Sequence, residues 1–108
     1  MSSLVAVTDA TFQAEVIDSS QPVLVDFWAP WCSPCRQLSR VVEQLAAENG
    51  DKMKFVMVNT DENPVVSQSY NIVSLPTLNV YKDGELVKSI GRPLPKPLLA
   101  AELDEFIG

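Results

Sequence analysis

Val23-Leu24-Val25-Asp26-Phe27-Trp28-Ala29-Pro30-Trp31-Cys32-Ser33-Pro34-Cys35 orders the rest of the chain. Its first six residues are apolar except for Asp26. Such a nearly continuous run suits a central strand covered on both faces. Beyond Cys35 the period changes. Leu38, Val41, Val42, Leu45 and Ala46 recur at i, i+3, i+4, i+7 and i+8, one stripe of an amphipathic helix. Arg36, Gln37, Arg40, Glu43, Gln44 and Glu48 cover most of the other side. A strand therefore runs into a long helix, with Cys32 and Cys35 at the junction. Asn49-Gly50-Asp51 supplies the stop, and Gly50 suits a left-handed cap.

The flanking segments repeat this alternation. Leu4–Val7 reads as a short edge strand. Thr8 and Asp9 are N-cap residue types ahead of a helix carrying Phe12, Val16 and Ile17. Ser19-Ser20-Gln21-Pro22 reads as a turn. Phe55–Val58 is a second strand-like run. Asn63-Pro64 reads as a cap and first turn of a short helix reaching about Tyr70. Thr77–Tyr81 and Glu85–Ile90 flank Lys82-Asp83-Gly84, a hairpin signal. Leu99, Leu103 and Phe106 mark a C-terminal helix. The order β-α-β-α-β-α-β-β-α predicts an α/β fold. It is a single mixed β-sheet of about five strands with about four helices on both faces. One domain spans residues 1–108.

Composition narrows the function. The 108 residues are 46% hydrophobic and 20% charged, an ordinary globular balance. A net charge of −6 opposes nucleic-acid binding. No apolar run approaches the roughly 18 residues that cross a bilayer. Met1–Val7 lacks a basic n-region and a long apolar core, so a cytoplasmic protein is expected. Histidine is absent. That excludes Ser-His-Asp triads, Cys-His proteases and the His-Glu-x-x-His zinc motif. No phosphate-binding glycine loop is present.

The two cysteines remain. A thiolate is the reactive form of cysteine. A helix beginning near Ser33 places Cys32 at its N-terminus, where unpaired N–H groups and the helix dipole favour a negative sulfur. Cys35, one turn on, shares a face with Cys32 and lies within disulfide reach. Pro34 fits a first turn, where no amide hydrogen is missed. Cys32 is therefore the expected attacker and Cys35 the shielded, resolving thiol. Blander readings stay open from the residues alone: two core cysteines at this spacing by chance, a metal bridging two chains, or a purely structural disulfide. Two cysteines without histidine fall short of a four-ligand zinc site, so no metal is expected. A cytosolic compartment would reduce a structural disulfide.

At Trp28-Ala29-Pro30-Trp31-Cys32-Ser33-Pro34-Cys35 the sequence resembles the thioredoxin family. The resemblance continues through Val25–Trp28, Asn59-Thr60-Asp61-Glu62-Asn63-Pro64, Leu75-Pro76-Thr77-Leu78 and Tyr81-Lys82-Asp83-Gly84-Glu85, in order along nearly the whole chain. It implies the thioredoxin fold and a thiol–disulfide oxidoreductase, acting as a protein-disulfide reductase. The two-step exchange ends in a Cys32–Cys35 disulfide. It implies no cofactor for the exchange. The partners are disulfide-containing proteins and a separate thioredoxin reductase, with no nucleic acid or membrane, and a monomer is the default. By position, Asp26 resembles the buried carboxylate that takes the proton of Cys35, and Pro76 the cis-proline facing the disulfide. Trp31, Thr60, Ser74, Leu75, Ile90 and Gly91 resemble parts of the substrate-docking surface. Desolvation independently predicts a raised pKa for an aspartate within an apolar strand, unless it lies on an exposed face.

The departures bear on tuning. Ser33 stands where a glycine is usual, and the resemblance implies that Ser33 and Pro34, the intervening dipeptide, tune the redox poise. A Ser33 hydroxyl donating to the Cys32 sulfur would favour the thiolate. Arg40 stands where many members carry a kinking proline, predicting a straighter helix. Met57 stands where a lysine is frequent, which predicts a harder-to-ionise Asp26. Gly91-Arg92-Pro93-Leu94-Pro95-Lys96-Pro97 reads as a rigid lead-in to the last helix. Two functions of other kinds compete: a thiol oxidase or isomerase, and a non-enzymatic subunit that clamps partners with its docking face.

Overall fold

The computed structural model describes residues 4–108; Met1–Ser3, where the leader reading begins, lie outside the described residues. The strands are β1 (Val5–Ala6), β2 (Val23–Trp28), β3 (Lys54–Asn59), β4 (Thr77–Lys82) and β5 (Glu85–Ile90). The helices are α1 (Ser33–Asn49), α2 (Pro64–Ser69), α3 (Lys96–Glu102) and α4 (Asp104–Ile107), with a π-helical turn at Gln13–Ile17. The sheet order is β1-β3-β2-β4-β5. β3 pairs in parallel with β1 and β2, while β4 pairs antiparallel with β2 and β5. This is the expected mixed five-stranded sheet.

The period-two alternation of the strands divides the interior into two cores. Leu24, Phe55, Leu78 and Val80 pack with Leu38, Val42 and Leu45 of α1 and with Leu99 and Leu103. Val23, Val25, Phe27, Val56 and Val58 face the other way, against Phe12, Val16 and Val66. Phe12 meets Tyr81 edge-on at 5.5 Å between ring centroids, which fixes the π-turn to that face. β2 supplies both cores, which explains why its run is apolar apart from Asp26. Asp26 has the parity of Leu24 and so belongs to the α1 face.

Several local expectations are revised. Residues 13–17 form π-type rather than α-type bonds, as in Asp18 N–H to Gln13 C=O at 2.9 Å. Asp9 does not cap this turn. Its carboxylate accepts from the amides of Val65 and Val66, at 3.2 and 2.8 Å, and so caps α2. Asn63, the expected side-chain cap of α2, instead accepts from the Asp9 amide at 2.9 Å and donates to the Asn59 carbonyl. The longer-range partner satisfies the α2 amides, which frees Asn63 to anchor the β1 side of the molecule. Gly50 is right-handed (φ −64°, ψ −16°), so the chain leaves α1 without the left-handed cap. Asp83 and Gly84 do take positive φ (53° and 82°), as the hairpin turn demands. The C-terminal helix is two short ones, broken at Leu103, whose side chain nevertheless stays in the core. α1 runs through Arg40 without interruption. Among the described residues no helix is long and apolar enough to cross a membrane.

Candidate active site

β2 ends at Trp28, and the chain turns through Ala29–Trp31 before α1 begins at Ser33. The turn is closed by the Cys32 amide donating to the Ala29 carbonyl at 3.1 Å. The Arg36 guanidinium donates to the Pro30 carbonyl at 2.9 Å and ties the loop to the helix. Cys32 is the N-cap residue, in extended backbone conformation. Its Sγ accepts from the Cys35 amide at 3.3 Å, the place a serine or aspartate oxygen takes in ordinary caps. Cys32 and Cys35 are disulfide-bonded, with Cα atoms 5.3 Å apart. Pro34 occupies the first turn of α1. Ser33 is exposed, and among the described residues its hydroxyl makes no hydrogen bond. In this oxidised state the sulfur receives the Cys35 amide; the Ser33 bond expected to favour the Cys32 thiolate belongs to the reduced form.

Asp26 is fully buried. Its sheet neighbours are Met57 on β3 and Leu78 on β4. Oδ2 accepts from the Ser39 hydroxyl at 2.8 Å, while Oδ1 has no partner among the described residues. Burial pushes its pKa up from 3.8 to about 6; the Ser39 hydrogen bond acts against this and the nearby charge of Glu43 adds to it. A cleft of about 430 Å³ is lined by Trp28 and Met57 from the strands and by Cys35, Ser39 and Glu43 from α1. Ser39 escaped the sequence reading because a serine among charged residues looks like an ordinary solvated helix face. The available signal was its position four residues after Cys35, on the same side of α1.

The sheet register brings the remaining residues to one end of the molecule. Phe27 lies opposite Thr77, so the 74–76 loop sits beside the end of β2 from which Cys32 departs. Trp28 lies opposite Asn59, which puts Thr60 at the same end. The Thr60 amide and hydroxyl both donate to the Trp28 carbonyl, at 2.9 and 3.2 Å. Ile90 lies opposite Leu78, and Gly91 follows it. The Leu75–Pro76 bond is cis. Ser74 is exposed, and its carbonyl accepts from the Thr77 hydroxyl at 2.7 Å. Trp31 is 69% exposed, its indole N–H held by the Asp61 carboxylate at 3.1 Å. Ile90 is buried in the α1-side core and offers little surface, whereas Gly91 is exposed. Val73, 93% exposed beside Ser74, is an apolar residue of this end that the sequence reading passed over; nothing in its local pattern marks it.

A paired cysteine at the N-terminus of a helix, at the carboxyl end of a central strand and above a buried carboxylate, defines a thiol–disulfide exchange protein. The thioredoxin family model matches residues 3–105. The chain is 53% identical over 107 residues to thioredoxin 1 of Synechococcus elongatus, covering 99% of this chain and 100% of the relative. It is 49% identical over 107 residues to thioredoxin 1 of Nostoc sp., with the same coverage. It is 46% identical over 102 residues to the chloroplastic M-type thioredoxin of Chlamydomonas reinhardtii, covering 94% of this chain and 73% of the relative. The chain belongs to the thioredoxin family, and its activity is that of a thiol–disulfide oxidoreductase, a protein-disulfide reductase.

Proposed function

We propose that Cys32 is the attacking sulfur and Cys35 the resolving one, in a protein-disulfide reductase whose electrons come from a thioredoxin reductase. The Cys35 amide donating to Cys32 Sγ at 3.3 Å carries the assignment. A donor aimed at one sulfur from a helix N-terminus stabilises negative charge there and not on Cys35. Cys32 thiolate attacks a substrate disulfide and forms a mixed disulfide. Asp26 then takes the proton of Cys35. The Cys35 thiolate attacks Cys32, and the substrate thiolate leaves.

Trp31, Thr60, Ser74, Leu75 and Gly91 form the docking surface at this end, with the buried Pro76 and Ile90 supporting it from beneath. The backbone beside Leu75 offers main-chain pairing to an extended substrate segment. Ser33 and Pro34 tune the poise of the pair. The domain acts as a monomeric electron carrier. Both faces of its sheet are already covered by its own helices, and its charge of −6 disfavours nucleic-acid and membrane partners. The cycle is placed in the cytoplasm because the dithiol form needs a reducing pool.

The test is partner trapping. Cys35→Ser is expected to accumulate mixed disulfides through Cys32, and Cys32→Ser to accumulate none. Wild-type protein reduces protein disulfides in the same assay series. Equal trapping by the two variants would overturn the assignment.

A further inference from the structure

Asp26 is sealed from solvent, yet a proton acceptor that works repeatedly must pass its proton on. Among the described residues the one protein group bonded to its carboxylate is the Ser39 hydroxyl, and Ser39 also lines the cleft that Cys35 lines. A hydroxyl donates and accepts at once. We infer that Ser39 is a positioning residue for the resolving step, holding the Asp26 carboxylate toward the cleft and relaying its proton out. The inference rests on the reading of Asp26 as the acceptor.

The sequence of transfers is balanced. Cys35–SH gives its proton to the Asp26 carboxylate. The Cys35 electron pair forms the bond to Cys32 Sγ, the bond from Cys32 to the substrate sulfur breaks, and its pair leaves on the substrate thiolate. Protonated Asp26 then donates to Ser39 Oγ while the Ser39 proton passes to solvent in the cleft. Ser39 ends as it began, donating to ionised Asp26.

The charges around Asp26 leave this role to Ser39. From β3 and β4 its neighbours are Met57 and Leu78, which carry no charge. From α1, Glu43, Arg36 and Arg40 line the cleft, and the Glu43 carboxylate favours the protonated acid. Lys88 is held by Glu102 and Glu105, and Lys96 by Glu48. Arg36 donates to the Pro30 carbonyl. Among the described hydrogen bonds, Ser39 alone stabilises the carboxylate form directly.

The experiment combines carboxyl titration by NMR with single-turnover reduction of a disulfide peptide across pH. In Ser39→Ala the titration of Asp26 should move up by about one pH unit, from loss of one donor to a charged group. The pH profile of the resolving step should move with it, a loss of about fivefold near pH 6. Ser39→Thr, which keeps the hydroxyl, should follow the wild type. The first attack, measured in Cys35→Ser with and without Ser39→Ala, should be unchanged. If the Ser39→Ala profile overlays the wild type, or a folded Ser39→Thr behaves like Ser39→Ala, the inference is overturned. Asp26→Asn separates the two layers. If it leaves the resolving profile at the wild-type position, the acceptor reading fails and Ser39 falls with it. If Asp26→Asn shifts the profile and Ser39→Ala does not, only the role of Ser39 is lost.

Discussion

Asp26 is the residue at which function and stability oppose each other. Its pKa is about 6 in the folded protein, against 3.8 for an exposed aspartate. Between those values the native state binds the proton more often than the unfolded chain does. Stability contributed by the protonated acid is full below about pH 4 and is lost as pH rises through 6. The loss is about 3 kcal/mol above both values, at roughly 1.4 kcal/mol per pKa unit. Other carboxylates impose their own slopes, so the informative quantity is a difference. Urea unfolding of wild type and Asp26→Asn should agree closely near pH 4 and diverge toward pH 7, with the asparagine variant the more stable. Parallel curves over that window would show that burial of this carboxylate carries no cost. Met57 bears on the same balance, because no cation stands beside Asp26 in the sheet.

At the scale of elements, what the sequence made legible was what depends on periodicity. The apolar run of β2, the stripe on α1 and the Asp83-Gly84 turn are properties of consecutive residues, and each was readable from its own segment. Three of the misreadings involve a partner distant along the chain. Asp9 has the chemistry of an N-cap, but the helix it caps begins 55 residues later at Pro64. Asn63 is drawn away from its own helix by the Asp9 amide. Ser39 looks solvated until the sheet sets Asp26 beneath it. Gly50 permits a left-handed cap without requiring one. The Asp9–α2 link also gives an element-level prediction. Asp9→Ala removes the acceptor for the Val65 and Val66 amides and should cost about 1–2 kcal/mol. The same variant should accelerate amide exchange at Val66 while leaving exchange within α1 near its wild-type rate. If α1 and α2 lose protection equally, Asp9 acts on the whole fold rather than as a cap.

The molecule as a whole is held by two cores on opposite faces of one sheet, and the redox bond belongs to neither in an energetic sense. Cys32 and Cys35 are three residues apart, so their disulfide closes a very short loop. The chain-entropy contribution of such a loop is about 2 kcal/mol. That is small beside what Leu24, Leu78 and Leu99 on one face and Phe27, Val56 and Val58 on the other take out of water; all six are fully buried. A single fully buried leucine or phenylalanine side chain contributes about 1.5–3 kcal/mol. An exchange protein needs this proportion, because it must present the same surface with the bond made and broken. Reduction by excess dithiol should therefore leave far-UV circular dichroism unchanged at 25 °C. It should lower the unfolding free energy by about 2 kcal/mol in matched denaturant titrations, with one cooperative transition in both states. Loss of cooperativity on reduction would mean that the disulfide, rather than the two cores, holds α1 on the sheet.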